Sequence, residues 1–193
     1  TTALREAENL APNDASVQLH LGEVSLEVQD YPAALRYADR AIELTMGQLR
    51  SDPFKRPSYE LLKQCNELKV KVAKSQSAAK PDDAQPYYIM AEATKALGQA
   101  EQKISLLDAR DFAIRSLSKD PKQHNWRIFL AQIELELGGI QEAIDHVNEV
   151  LKEIGINADQ AILVFNKIDV LPNRSYLDAL RANHPLAVSV SAI

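Results

Sequence analysis

The hydrophobic pattern divides the chain at about residue 155. Before that point, apolar and small residues recur at intervals of three and four, which is the spacing of one face of an α-helix. The clearest case is the stretch IQEAIDHVNEVLKEI, where Ile140, Ile144, Val147 and Leu151 follow one stripe. After Gly155 the apolar residues come in short continuous runs, which are typical of buried β-strands. The pattern predicts a helical region followed by a smaller region that contains strands.

Two of the continuous runs lie on either side of a predicted helix. AILVF at 161–165 and LAVSV at 186–190 are rich in β-branched residues, and RSYLDALRAN between them has helical periodicity. A strand, a helix and a second strand within about 30 residues form a βαβ unit, whose strands are parallel. We therefore expect a small βαβ segment over residues 155–193.

The helical region repeats at an interval of about 34 residues. Ala109 and Ala143 are 34 residues apart, in the contexts ARDFAIRSLSKDP and QEAIDHVNEVLKE. This is the period of helix-turn-helix repeats, in which small residues allow two helices to approach closely. Further residues at matching offsets are Leu21, Gly22, Tyr31, Ala34 and Ala41 in one segment, Met90, Ala91, Gly98 and Ser116 in a second, and Leu130, Ala131, Gly138 and Val150 in a third.

These positions resemble those of the tetratricopeptide (TPR) repeat family. The resemblance implies a mainly α fold, a TPR-like array of antiparallel helical hairpins (an α-solenoid) over residues 1–154, followed by the small C-terminal βαβ segment. About six extra residues between Gly98 and Ala109 predict longer or offset helices there. Residues 49–85 break the period and are interpreted as a degenerate repeat or a helical insertion. They predict a helix from about Ser58 and a loop at 75–86.

Polar residues directly follow each predicted strand of the C-terminal region. Asn166-Lys167-Ile168-Asp169 comes after the first strand, and Ser191-Ala192 comes after the second. An aspartate in this place can accept both N–H groups of the guanine pairing edge, in a charge-assisted contact that is strong and selective. Ligands of parallel sheets bind at the carboxyl ends of the strands, where both motifs fall.

The two motifs resemble the NKxD and SA motifs of translation-factor-type GTPases. Together with the preceding VNEVLKEIG, residues 140–193 resemble the HflX-like ribosome-associated GTPases. The resemblance implies that guanine would be contacted by Asn166, Lys167, Asp169, Ser191 and Ala192.

A phosphate-binding loop is missing from this sequence. The consensus GxxxxGK[ST] needs two glycines five residues apart, and the six glycines stand at 22, 47, 98, 138, 139 and 155. Motifs for the base alone neither hydrolyse GTP nor hold it tightly, because phosphoryl transfer depends on positioning the phosphates. We therefore expect no catalytic residues, no enzyme activity and no cofactor. GTP or GDP would bind only if a longer parent protein supplies the loop.

Composition and charge exclude several other classes. The 22 basic and 27 acidic residues give a formal charge of −5, so no overall positive field attracts nucleic acid or a membrane surface. No apolar run approaches the roughly 18–20 residues of a membrane-spanning helix. The four histidines lack metal-ligand spacing, so no metal site is expected. A single cysteine, Cys65, predicts a buried thiol and a reducing, cytoplasmic location.

The favoured function is therefore an interaction module, a TPR scaffold or adaptor, that binds another protein or a peptide. The repeat register places six candidate residues toward the groove of such an array: Glu23, Tyr88, Glu92, Lys95, Asn125 and Gln132. The alternative is a fragment of a guanine-nucleotide-binding protein, either HflX-like or circularly permuted, that retains only the guanine-specificity motifs. The opening TTALREAENLAP reads as the middle of a helix, so we expect a piece of a longer protein.

Both regions require the helix at 140–154. Its single apolar stripe can bury only one face, and if that face packs on the helix of Phe129 and Leu130, the two strands are left uncovered. Parallel strands with open edges and exposed faces are unfavourable. We therefore expect the C-terminal segment either to dock on the helical array or to pair its strands with another chain.

Overall fold

The computed structural model describes residues 6, 8–101, 103–157, 164–166, 178, 182 and 187–190. These residues form seven α-helices and two short β-strands. The helices are α1 (Ala15–Glu27), α2 (Tyr31–Ser51), α3 (Arg56–Ala79), α4 (Gln85–Glu101), α5 (Lys103–Lys119), α6 (His124–Leu137) and α7 (Ile140–Glu153). The strands are β1 (Val164–Asn166) and β2 (Val188–Val190). The chain divides into two compact units, Thr1–Val147 and Asn148–Ile193.

The helices of the first unit pack in chain order. Helix α1 packs on α2, and the same holds for each following pair as far as α5 on α6. Because the connections between them are only a few residues long, neighbouring helices run antiparallel. The predicted array of helical hairpins is confirmed for this unit. In the ranges that the structure describes, no helix combines the length and apolar character needed to cross a bilayer.

Small residues line the contacts between helices. Ala34, Ala38 and Ala41 of α2 are completely buried, and so are Ala109 and Ala113 of α5. They lie in two apolar clusters, one shared by α1, α2 and α3 and the other by α4, α5 and α6. Alanine carries only a methyl group, so the helix axes can approach closely at these points. Residues that recur at the repeat interval therefore belong to the core, as the pattern predicted.

Gly22 marks the tightest of these contacts. A Cβ atom at this position would lie 2.8 Å from Cδ2 of Leu68 in α3 and 3.3 Å from the carbonyl oxygen of Ala34 in α2. Three helices thus meet at a residue that has no side chain. Gly47 in α2 is different, since a Cβ atom there would have no neighbour within 4 Å.

Helix α3 is longer than its sequence predicted. It begins at Arg56, close to the predicted start, but it continues through Ala79, so the loop predicted at 75–86 is wrong for its first five residues. The hydroxyls of Ser75 and Ser77 donate to backbone carbonyl oxygens four and three residues earlier, which holds these serines within the helix. Two alanines, the best helix formers, then complete the last turn.

The extra residues between Gly98 and Ala109 lengthen two helices, as predicted. Helices α4 and α5 each contain 17 residues, whereas α1 contains 13 and α6 and α7 contain 14 each. The insertion is therefore absorbed as additional helical turns rather than as a loop.

Four helices begin with the same turn, which we call the proline turn. In each, a proline carbonyl oxygen accepts a hydrogen bond from the side chain six residues later. The pairs are Gln18 to Pro12 (3.3 Å), Tyr59 to Pro53 (3.0 Å), Tyr87 to Pro81 (3.4 Å) and Arg127 to Pro121 (2.7 Å). Helix α3 thus starts in the same way as α1, α4 and α6, which favours a degenerate repeat over an insertion for residues 49–85.

The second unit contains the two strands, which pair in parallel. Val164 is the register partner of Val188, and Asn166 is the partner of Val190. Of the helix predicted between them, only Asp178 and 182 are described, and both are helical. The complete βαβ segment, the domain limits 1–154 and 155–193, and the pairing of these strands with another chain stay predictions.

We predict opposite effects of alanine at two helical glycines. Gly47→Ala should stabilise the fold by about 0.5–1 kcal/mol, because alanine loses less backbone entropy in a helix and meets no neighbour. Gly22→Ala brings the same helix preference but forces Leu68 to move, an overpacking cost of about 1–3 kcal/mol. Urea unfolding of both variants measures the difference. Equal free energies of unfolding would contradict the close approach at Gly22.

Candidate functional site

Three aromatic rings join α4 to α6. Tyr88 stacks on Trp126 with ring centroids 4.9 Å apart and planes 16° apart, and it meets Phe129 edge-on at 5.5 Å and 70°. Both geometries are favourable for aromatic pairs. Trp126 is 8% exposed, while Tyr88 and Phe129 are half-buried. The cluster therefore holds the two helices together and leaves parts of two rings at the surface.

Lys95 forms a second connection between the same helices. Its Nζ atom lies 2.8 Å from Oε1 of Glu136 and 5.6 Å from the centroid of the Phe129 ring. The Lys95 side chain is 14% exposed and that of Glu136 is 39% exposed. A cation over an aromatic face is favourable, and its ion pair with the carboxylate compensates for its partial burial.

Glu92 lies one helical turn from Tyr88 and accepts a hydrogen bond from its phenol group. Burial raises the pKa of the Tyr88 phenol above its ordinary value, and the charge and the hydrogen bond of Glu92 raise this pKa further. The phenol therefore keeps its proton under physiological conditions. The hydrogen bond holds the carboxylate of Glu92 beside the exposed edge of the aromatic cluster.

Five of the six groove residues predicted from the sequence lie on these two helices. We call them the α4–α6 surface: Tyr88, Glu92 and Lys95 on α4, with Asn125 and Gln132, both exposed, on α6. The sixth, Glu23, lies on α1, where its charge affects Cys65 of α3. That these residues bind a partner stays a prediction.

Sequence reasoning missed Glu136, the partner of Lys95. The available signal was weak, because Glu136 simply follows Gln132 by one helical turn. A second ion pair lies between α5 and α6, where Nε of Arg110 is 2.6 Å from Oε1 of Glu134. The Glu134 side chain is only 5% exposed, so this pair connects helices rather than contributing to the surface.

Most of the predicted guanine-binding residues lie outside the described residues. This applies to Lys167, Asp169, Ser191 and Ala192. Asn166 is the last residue of β1, and only its backbone is described. Among the side chains that the structure describes, no group of three histidine, cysteine or acidic residues could hold a metal ion.

An open cleft of about 790 Å³ lies between the turn before α1 and the start of α3. Its walls combine the apolar residues Leu10, Pro12 and Leu61 with the polar residues Glu60 and Gln64. Sequence reasoning did not find this cleft, because residues so far apart in the chain form it.

The packing order, the small-residue contacts and the proline turns define a helical-repeat protein. No protein-family model matches the sequence, and no curated protein sequence matches it. Solved structures with a related course of the chain include MamA of Desulfovibrio magneticus from residue 41 onward, with a TM-score of 0.43 and 21% identity over 78% of this chain and 83% of that chain. The thermophilic TPR protein TTC0263 of Thermus thermophilus has a TM-score of 0.43 and 18% identity, over 72% and 73% of the two chains. Yeast Tom70 has a TM-score of 0.30 and 16% identity, over 95% of this chain and 42% of that chain. The helical-repeat assignment therefore rests on the packing of this chain itself.

We predict that Cys65 is unreactive in the folded chain. The residue is completely buried, as expected from the sequence, and burial raises the pKa of its thiol from 9.0 to about 12. Such a shift lowers the thiolate fraction about a thousandfold near pH 8, and the thiolate is the nucleophile. Ellman's reagent should react with the chain in denaturing urea far faster than with the native chain. Equal rates would contradict the burial.

The same shift predicts a loss of stability in alkali. The unfolded thiol releases its proton above about pH 9, whereas the folded thiol keeps its proton until about pH 12. The contribution of Cys65 is therefore complete below pH 9 and is lost as the pH rises toward 12. Comparison of unfolding in Cys65→Ala across this range isolates the effect.

Proposed function

We propose that this chain is a protein-interaction module that binds a peptide segment of another protein over the α4–α6 surface. The observation that carries the proposal is the aromatic cluster of Tyr88, Trp126 and Phe129, which is partly exposed and flanked by fixed charges. Aromatic anchors that are already held in place dominate the binding energy of many interfaces. In this proposal the chain has no catalytic role, no membrane or nucleic-acid partner, and a cytoplasmic location.

The polar groups near the rings support the same proposal. The Lys95–Glu136 pair and the hydrogen bond from Tyr88 to Glu92 fix three charged side chains before any partner arrives, which lowers the entropy cost of binding. The amides of Gln132 and Asn125 are exposed, and an amide can both donate to and accept from a peptide backbone.

Peptides selected from a display library on the full chain provide the test. Tyr88→Ala should weaken the selected peptides by about tenfold or more, because it removes an anchoring ring. Gln132→Ala should weaken them by about twofold to tenfold, since it removes an exposed hydrogen-bonding group. Fluorescence anisotropy measures both effects.

Two further variants serve as controls. Phe54→Ala removes a ring that is 91% exposed in the turn between α2 and α3, and it should leave binding unchanged. Tyr88→Phe keeps the ring and removes only the hydroxyl, so it separates loss of the anchor from loss of packing. If the selected peptides respond equally to Phe54→Ala and Tyr88→Ala, the proposed surface is wrong.

A second candidate function is the binding of guanine nucleotide by a longer protein that contains this chain. The observation that favours it is the parallel pairing of β1 and β2 in which Asn166 is the partner of Val190. The NKID and SA motifs begin at or directly after these two residues. This register agrees with two motifs that act on one base at the carboxyl ends of paired strands.

Titration with fluorescent GDP tests the second candidate. If it is correct, binding saturates and Asp169→Asn weakens it by about fivefold to a hundredfold, because the pairing edge of guanine loses a charged acceptor. Asp178→Asn removes the same charge from an exposed residue outside the motif, and it should have no effect. Absence of saturable binding at high protein concentration would eliminate this candidate for the isolated chain.

A further inference from the structure

The four proline turns are followed by a second shared feature. The residue eleven positions after the turn proline is a glutamate or a glutamine in every case. These residues are Glu23 on α1, Gln64 on α3, Glu92 on α4 and Gln132 on α6. Their side chains are exposed or half-buried. We call this set the carboxylate–amide row.

The helices that carry the row lie side by side. Gly22 of α1 meets Leu68 of α3, Ala73 of α3 packs in one cluster with Met90 of α4, and Tyr88 stacks across to α6. Neighbouring helix axes are about 8–10 Å apart, so the row spans roughly 25–30 Å. About eight or nine residues of extended peptide have the same length.

Carboxylates outnumber cations along the row. The row contributes Glu23 and Glu92, and α3 contributes Glu60 and Glu67, each one helical turn from Gln64. On α4 the corresponding cation is that of Lys95, which is already paired with a carboxylate at 2.8 Å. The four glutamates therefore give this surface an excess of negative charge.

The structures beside the row are also suited to a cation. At α4 and α6 the row meets the aromatic cluster, and aromatic faces attract ammonium and guanidinium groups. At α3 the row reaches the cleft, where Leu61 and Pro57 lie beside Glu60. Such walls can hold the methylene stem of a long basic side chain while its charge meets a carboxylate. Lys55 also lines the cleft, and its Nζ donates to Oε1 of Gln48 at 3.2 Å.

We infer that the partner of this surface is a basic peptide segment, whose lysine or arginine side chains lie along the carboxylate–amide row. The inference rests on the proposed function and names the chemical class of its partner. Charge complementarity selects this class, because an acidic segment would be repelled by the row.

Two labelled synthetic peptides of about nine residues test the inference with the full chain. One alternates arginine with leucine, and the other has glutamate in place of arginine. The arginine peptide should bind saturably at low salt and more weakly as salt screens the charges. The glutamate peptide should not bind.

A pair of matched variants distinguishes the row from net charge. Glu23→Gln with Glu92→Gln removes two charges from the row, and it should weaken the arginine peptide by about threefold to tenfold. Asp108→Asn with Asp111→Asn removes two exposed charges from α5, and it should change the affinity less than about twofold. All four changes keep the size of the side chain, and circular dichroism checks that each variant is folded.

Each outcome decides a separate statement. Equal weakening by the two double variants, or none by the row variant, overturns the inference. If the glutamate peptide binds and Tyr88→Ala weakens it, the basic class is overturned while the peptide-binding function stands. If no peptide, synthetic or selected, binds in a Tyr88-dependent way, both are overturned.

Discussion

Close approach between helices is the constraint on which the first unit depends. At the contacts of α1, α2 and α3, the residues are alanines, a glycine and one buried thiol, and the large apolar side chains surround these points. A core built in this way has little free volume, so it tolerates added atoms poorly. It also brings longer side chains on adjacent helices within reach of one another, which explains connections such as Lys95–Glu136 and Arg110–Glu134.

The proline turns give this packing a common starting point. Because the turn proline and its hydrogen-bond donor set where a helix begins, residues at the same distance from the proline take equivalent places on their helices. Four helices of different sequence thereby present a glutamate or glutamine at one position. Helix α3 shares this start although no period in the sequence includes it, so the array continues through residues 49–85 rather than being interrupted there.

The two candidate functions require different physical properties. Peptide binding needs a surface whose anchors are already held, and the α4–α6 surface has such anchors because the rings and ion pairs that join the helices are the same groups that reach the solvent. Guanine recognition needs a few atoms placed at the end of a sheet, and in this chain only the backbone pairing of β1 and β2 bears on it. The first function therefore has the larger structural basis.

The sequence by itself determined which residues are buried at the helix contacts, because the spacing of small and apolar residues reflects the helical period directly. It also predicted the buried Cys65, the longer helices around Gly98 and five groove candidates that lie on two adjacent helices. Only the tertiary structure decided that α3 extends to Ala79, since serine and alanine occur in helices and loops alike. The tertiary structure also decided the partner of Lys95 and the donors of the proline turns. Long polar side chains can reach many neighbours, and the backbone arrangement around them selects one.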